Sequence, residues 1–249
     1  MPEIRAIPIE GIGEVQPGAD LPRILLDALR IQRADLVKGD IFVITHKVVS
    51  KSEGQLVSLA SVKPSRKAVI WANKFKLDPR LTHIAWSQGQ VVRQRHGVTI
   101  TETPHGFVCA NSGVDASNVD GGNSVVLLPR DPDRSARRIS RALQKHLGFV
   151  VPVIITDSFG RAWREGLTEV AIGVAGMRPF RDSRGQRDPY GYKLKVTLEA
   201  VADELAGMAG LACGKLTRIP ACIIRGYPFQ PGRGRARDLI RARERDLFR

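Results

Sequence analysis

Apolar residues along this chain fall into two periods, one suited to helices and one to strands. Leu21, Ile24, Leu25, Ala28 and Leu29 recur at helical spacing and predict a helix over Leu21 to Gln32. Ser65 to Lys76 reads as a second helix. Asp133 to Leu147 reads as a third, with Asp-Pro-Asp at its start and Gly148 just past its end. A fourth spans Thr197 to Cys213, with Leu198, Val201, Leu205, Met208 and Ala212 on one stripe and Gly214 closing it. Glu3 to Pro8, Asp40 to Val49, Gly97 to Thr101, Gly106 to Ala110, Val150 to Thr156 and Ala221 to Arg225 are short, largely apolar runs and predict strands. Several of these strands look hairpin-connected. The pattern therefore predicts an α+β protein with mixed sheets and helices, not a purely parallel doubly wound sheet. No repeat or low-complexity linker interrupts residues 1–232, which read as one unit followed by an arginine-rich tail, 233–249.

Composition narrows the class. With 249 residues, 43% of them hydrophobic, the chain can bury a sizeable core. The longest apolar stretches, such as Val150 to Ile155, are too short to span a bilayer, and the first ten residues hold no signal-peptide core. Cys109, Cys213 and Cys222 are odd in number and show no C-x-x-C spacing, which argues against a disulfide framework or a zinc site and predicts a reducing cytoplasm. A net charge of +14 attracts anions: nucleotides, phosphorylated metabolites or nucleic acid. The tail carries seven arginines against Asp238, Glu244 and Asp246. It reads as a solvated, partly helical segment, since it lacks the interleaved aromatics that stack on bases.

Familiar nucleotide loops are absent. Gly210 to Leu216 (GLACGKL) has the wrong spacing for a P-loop and no final hydroxyl, and Gln16 stands where a dinucleotide fingerprint needs its third glycine. Two segments instead present oxygen-bearing side chains after apolar runs. Asp115, Ser117 and Asn118 follow Gly106 to Ala110, and Asp157 and Ser158 follow Val150 to Ile155, with Arg161 and Arg164 close behind. Magnesium takes one or two carboxylates together with substrate phosphates, so Asp115, Asp157 and the Ser158 hydroxyl suit a hard divalent cation, and the two arginines suit phosphate or carboxylate oxygens. The same residues also suit Asx-turns and helix caps, and spacing alone leaves both readings open. Asp131 and Asp133 read as caps of the helix that follows them. Lys47 and Lys51, four apart around an expected strand end, can meet phosphates or stay solvated, and His46 beside them reads as a packing or surface residue rather than a catalytic one. Asp203-Glu204 reads as a surface or inter-lobe salt-bridging pair.

Taken together these stretches resemble one family, the coenzyme F420 gamma-glutamyl ligases. The matching segments run in order: Gly39-Asp40 with Val49 to Gly54; Asn111 to Val119; Leu128 to Ala136; Ile154 to Arg164; Ala171 to Gly176; Asp188 to Gly191 with Leu194 and Thr197; Ala202 to Glu204; and Pro220 with Ile224 to Gly226. They cover about residues 1–228. The resemblance implies a two-lobed fold that dimerises. It also implies a GTP-dependent ligase that adds L-glutamate to the terminal carboxylate of the deazaflavin precursor F420-0, with later additions gamma-linked. The implied route is an acyl phosphate, with GDP and phosphate released. Mg2+ or Mn2+ is implied as cofactor, with K+ as a further cation; no membrane or nucleic-acid partner is expected.

Carried over residue by residue, the family's metal-binding aspartates fall on Asp115 and Asp157 and its hydroxyl ligand on Ser158. Its GTP contacts fall on Ile12, Gly13, Glu14 and Val15; on His46, Lys47, Lys51 and Asn118; and on Cys213, Gly214, Lys215, Leu216, Thr217, Arg218 and Ile219. Two positions depart from the pattern. Lys215 stands where some relatives carry a further metal ligand, and an ammonium cannot ligate a cation. Tyr192 stands where an arginine is common. These departures keep open a related ligase acting on another anionic acceptor, and the charge keeps open a basic nucleic-acid-binding protein.

Overall fold

The computed structural model describes residues 3–117 and 119–247. In chain order its elements are β1 (Arg5–Ile9), α1 (Leu21–Gln32), β2 (Ile41–Thr45), α2 (His46–Ser52), β3 (Leu56–Ser58), α3 (Arg66–Phe75), α4 (Pro79–Ser87), β4 (Gln90–Arg95), β5 (Val98–Glu102), β6 (Val108–Ala110), β7 (Ser124–Val126), α5 (Pro132–Leu147), β8 (Val153–Arg161), β9 (Arg164–Ala175), β10 (Arg181–Asp182), β11 (Leu198–Glu199), α6 (Val201–Cys213) and β12 (Ala221–Arg225).

Strand alternation explains the layering. In β2, Phe42 and Ile44 point to one face and Ile41 and Val43 to the other; in β8, Val153 and Ile155 oppose Ile154. Both faces are apolar, so each must be covered. Leu21 and Leu25 of α1 with Ile139 and Leu143 of α5 pack on the first face. Leu205, Ala206 and Ala209 of α6 pack on the second. The sheet between them runs β1-β12-β2-β8-β9. Its neighbours are antiparallel except β2 and β8, which are parallel. A smaller core of Leu59, Ile84 and Val125 joins α4 to the β3–β7 pair, beside the three-stranded sheet β4-β5-β6. The α+β class with mixed sheets is as the pattern predicts. No helix among the described residues is long and apolar enough to cross a membrane.

Caps match their sequence signals. Asp131 Oδ1 accepts the Arg134 amide at 2.8 Å at the start of α5, and Gly148 ends that helix at φ 82°. Asp133, two residues on, accepts the amides of Val174 and Ala236, each at 2.8 Å, and so ties β9 and the first turn of the tail to α5. Ala236 is fully buried, so the tail is not wholly solvated.

Four expectations need correction. The strand expected over Asp40 to Val49 stops at Thr45, and the chain turns into α2; an apolar run that crosses from a buried strand to a buried helix carries no period that separates them. The strand expected to end at Thr156 starts at Val153 and continues to Arg161, so Asp157 and Ser158 lie within a hairpin strand rather than in a turn. The helix expected from Thr197 starts at Val201, because Leu198 and Glu199 pair with Asp182 and Arg181. Asp203 forms no surface ion pair with its neighbours in sequence; its Oδ1 accepts the Ala171 amide of β9 at 2.9 Å.

One half-buried ion pair ties the loop before β2 to the end of β12. Arg225, at the end of β12, donates from Nε to Asp40 Oδ1 at 2.9 Å and from Nη2 to Asp40 Oδ2 at 2.8 Å, and the Val37 amide donates to the same carboxylate at 2.8 Å. The Asp40 side chain is inaccessible to water while that of Arg225 is 37% exposed. Arg225→Met should therefore destabilise the fold by about 2–3 kcal/mol, below the full cost of breaking a wholly buried pair because water reaches the guanidinium side. Urea unfolding checks the value, and a change under about 0.5 kcal/mol would show that water replaces the guanidinium at no cost. Asp203 gives a pH test. Burial pushes its carboxyl above the ordinary range, against the lowering effect of the Ala171 amide. A raised carboxyl loses stability on ionising, so its contribution improves as pH falls through the folded value. Asp203→Asn should unfold at a higher temperature than wild type at pH 7, and the gap should close below about pH 4.

Candidate functional site

β2 ends at Thr45, opposite Thr156 in register, while β8 runs on beyond that pair to Arg161. The crevice beyond the carboxyl ends of such strands is where an open sheet brings groups from separate segments together. Here a cleft of about 540 Å³ opens at that end. The loop after β1 supplies Ile12, Gly13 and Glu14, α2 supplies Lys47 and Lys51, and β8 supplies Asp157 and Ser158. Cys213 of α6 and the loop behind it, with Gly214, Lys215, Arg218 and Ile219, close the far wall.

The lysines are held by carboxylates. Lys47 Nζ lies 2.8 Å from Asp115 Oδ2 and donates to Ser117 Oγ at 2.8 Å. Asp115 also accepts the Ser117 amide at 2.7 Å, the Asx-turn anticipated for this segment, and its backbone bridges to Val126 in both directions. Burial raises the Asp115 carboxyl, but the bonds from Lys47 and Ser117 outweigh it and hold the group below the usual carboxylate range. One helical turn on, Lys51 Nζ meets Glu14 Oε1 at 2.5 Å; the Lys51 side chain is almost wholly buried. Lys47 and Lys51 thus stand one turn apart on α2 and draw two separate loops against it.

His46, at the start of α2, is fully buried. Its Nε2 lies 3.3 Å from Asp157 Oδ1, without hydrogen-bond alignment, and its Nδ1 is 3.3 Å from Ser50 Oγ. Asp157 Oδ1 also accepts the Ser158 amide at 2.7 Å. Asp157 lies close enough to Cys109 to add to the effect of burial, which together push that thiol up to about 12. Ser158, the next residue of the strand, points the other way. It faces Glu169, its cross-strand partner on β9, and its hydroxyl donates to Glu169 Oε1. Lys215 donates to Ser158 Oγ and reaches Glu169 Oε1 at 3.0 Å.

Twelve expected site residues therefore line one cleft: Ile12, Gly13, Glu14, Lys47, Lys51, Asp157, Ser158, Cys213, Gly214, Lys215, Arg218 and Ile219. Asp115 joins them through Lys47. Val15 is buried in the core beneath the loop, His46 lies behind Asp157, and Leu216 points to solvent. Thr217 lines a second hollow of about 470 Å³ next to the cleft with Gly11 and Arg218, and its hydroxyl donates to Cys213 O. Arg161 and Arg164 flank the β8–β9 hairpin turn, outside the cleft lining, where Arg161 Nη2 donates to Glu165 O at 2.6 Å. Asn118 lies outside the described residues. Sequence reasoning missed Glu169, which belongs to a strand it did not predict, and Gly210, whose missing side chain leaves room for Glu169.

Chemically, the donors converging here are carboxylate and hydroxyl oxygens, flanked by ammonium and guanidinium groups. Oxygens of that kind suit a hard divalent cation and phosphate, although no three histidine, cysteine or carboxylate side chains among the described residues gather into one metal-binding group. Comparison with known proteins gives the lineage. The profile of the F420-0:Gamma-glutamyl ligase family matches residues 11–226. Coenzyme F420:L-glutamate ligase of Methanothermobacter thermautotrophicus is 46% identical over 250 residues, covering 99% of both chains. That of Methanopyrus kandleri is 42% identical over 255 residues, covering 100% of this chain and 99% of its own. That of Methanocaldococcus jannaschii is 43% identical over 213 residues, covering 85% of each. With similarity of that depth across the strands and loops that build the cleft, the chain belongs to the F420-0:gamma-glutamyl ligase family.

Proposed function

We propose that this protein is a GTP-dependent ligase that forms an amide between L-glutamate and the terminal carboxylate of F420-0, with further glutamates added through gamma linkages. One observation carries the reading: two carboxylates, Asp115 and Asp157, stand against consecutive residues of α2, Lys47 and His46, with Asp157 in the lining of a cleft that Lys47, Lys51 and Lys215 also line. Family membership supplies the substrates, since the relatives are named for joining L-glutamate to coenzyme F420.

A carboxylate resists attack by an amine until one oxygen becomes a leaving group. Transfer of the γ-phosphoryl group of GTP to the acceptor carboxylate supplies one, releasing GDP. The glutamate nitrogen then attacks the acyl carbon, phosphate departs with the C–O electron pair, and the nitrogen gives up a proton. Phosphoryl transfer asks for positioning and charge neutralisation rather than covalent help. Lys47 and Lys51 on α2, with Arg218 across the cleft, are the groups assigned to the phosphates; Gly13 lets the backbone of the first loop approach them. Asp115 and Asp157 would hold Mg2+ or Mn2+, and the chemistry such a cation supplies is neutralisation of the transferring phosphate oxygens. His46, fully buried behind Asp157, packs against that carboxylate without a hydrogen bond to it. Assembly as a homodimer belongs to the same reading.

Purified protein given F420-0, L-glutamate, GTP and Mg2+ or Mn2+ should release GDP and yield a product heavier by one glutamyl residue, and omission of any one component should stop it. Asp115→Asn and Asp157→Asn should keep wild-type circular dichroism while glutamylated product falls by about 100-fold or more. Unchanged turnover in both variants would remove the metal assignment. No glutamylated product with either metal would sink the ligase reading itself.

A further inference from the structure

Ser158, Glu169 and Lys215 form a closed cluster on the α6 side of the cleft. Ser158 and Glu169 are cross-strand partners on β8 and β9, so their side chains share a face. The serine hydroxyl donates to Glu169 Oε1, and the Lys215 ammonium donates to both Ser158 Oγ and Glu169 Oε1, the latter at 3.0 Å. The fold makes room for this arrangement. A Cβ on Gly210 would sit 2.4 Å from Glu169 Cγ, so a glycine at that position of α6 lets the glutamate pass. The next glycine, Gly214, ends α6 at φ 65° and turns the chain so that Lys215 reaches back over the cleft. The Glu169 side chain is only 15% exposed, and a carboxylate so enclosed needs a counter-charge.

A hydroxyl and a carboxylate side by side are the oxygen donors a hard cation takes. Here the positive charge that fills them is covalently attached. Lysine brings three donors, no acceptor and a flexible reach, so it can satisfy both oxygens but cannot share them with a metal. We propose that Lys215 is the cleft's tethered cation: its ammonium occupies the Ser158–Glu169 oxygen pair and excludes a free divalent ion from that half of the cleft. Divalent-cation binding is thereby confined to the Asp115–Asp157 side. The inference rests on the cleft being the metal-dependent site proposed above, and deepens it by fixing which carboxylates the metal can use.

The test counts metal without requiring turnover, so failure to make glutamylated product would reject the ligase reading and leave this one decidable. Mn2+ alone is titrated into the full chain and bound ions are counted by electron paramagnetic resonance. Lys215→Gln should bind one more Mn2+ than wild type. Lys215→Arg, which keeps a tethered cation, should match wild type, and the double variant Lys215→Gln/Glu169→Gln should lose the extra ion. Lys215→Ala serves as a second removal of the charge should the glutamine variant misfold by circular dichroism. Equal counts in wild type and both charge-removed variants overturn the proposal. So does a loss of GTP affinity in Lys215→Gln with no gain in bound Mn2+, which would assign the ammonium to the nucleotide.

Discussion

Everything in the cleft depends on one pairing: the parallel match of β2 with β8, held in register from Phe42–Val153 to Thr45–Thr156. Parallel strands need a long crossover, and the 107 residues between Thr45 and Val153 supply it while also building the smaller core and the Asp115 loop. Because the two strands reach the cleft at the same level, His46 and Lys47 emerge beside Asp157 and Ser158. A slip of one residue in either strand would turn that strand's side chains to the opposite faces of the sheet and would separate His46 from Asp157. The buried Phe42, Ile44, Val153 and Ile155 on one side and Val43 and Ile154 on the other fix the register, so the same residues that form the core set the site.

Two irregularities in the β8–β9 hairpin decide which way the oxygens face. Near its tip the register shifts between Arg161–Arg164 and Gly160–Leu167, leaving Glu165 and Gly166 unpaired on β9; Gly166 takes φ 84° there. Deeper in the sheet it shifts again, between Ile155–Gly173 and Thr156–Ala171, leaving Ile172 as a single extra residue. A one-residue bulge reverses the alternation beyond it. Ile172 and Gly173 both face α5, and Glu169, which would otherwise face α5 as well, turns to α6 and Lys215. Along β8 the alternation is unbroken, so Asp157 goes with His46 while Ser158 goes with Glu169. Neighbours in sequence thus serve opposite halves of one cleft.

These irregularities also mark how far the sequence could be read. Helix α1 was legible to the residue, because five apolar positions kept one period. Strand β12 was equally plain, as an apolar run between Pro220 and Gly226. Asp115 and Asp157 stood out as acids after apolar runs, and the family likeness gave them partners that spacing could not. What stayed hidden depended on register. Arg164 to Ala175 mixes charged, small and apolar residues because half of it lines a hairpin tip and half lies in the core, so no single period spans it. A plain two-residue hairpin at Ala162-Trp163 would have paired Ser158 with Leu167, and only the two-residue shift brings Glu169 opposite it. The switch from strand to helix at His46 was invisible for a related reason: tertiary pairing, not local preference, ends β2.

The charges of the cleft add a last constraint. Lys47 rests on Asp115, Lys51 on Glu14 and Lys215 on Glu169, so three ammonium groups and three carboxylates already balance one another. The chain's +14 excess therefore does not reside in these pairs. A balanced cleft has a consequence for how a phosphorylated nucleotide and a divalent cation would enter it on the proposed reading. Phosphate alone would draw Lys47 away and leave Asp115, already partly buried, without its counter-charge. A cation alone would leave Lys47 in the same position. Arriving together they exchange partners, phosphate to the ammonium and metal to the carboxylate, and no charge is stranded in a low-dielectric site. The ion pairs that hold the cleft in shape thus also favour the joint entry of nucleotide and metal over either one alone.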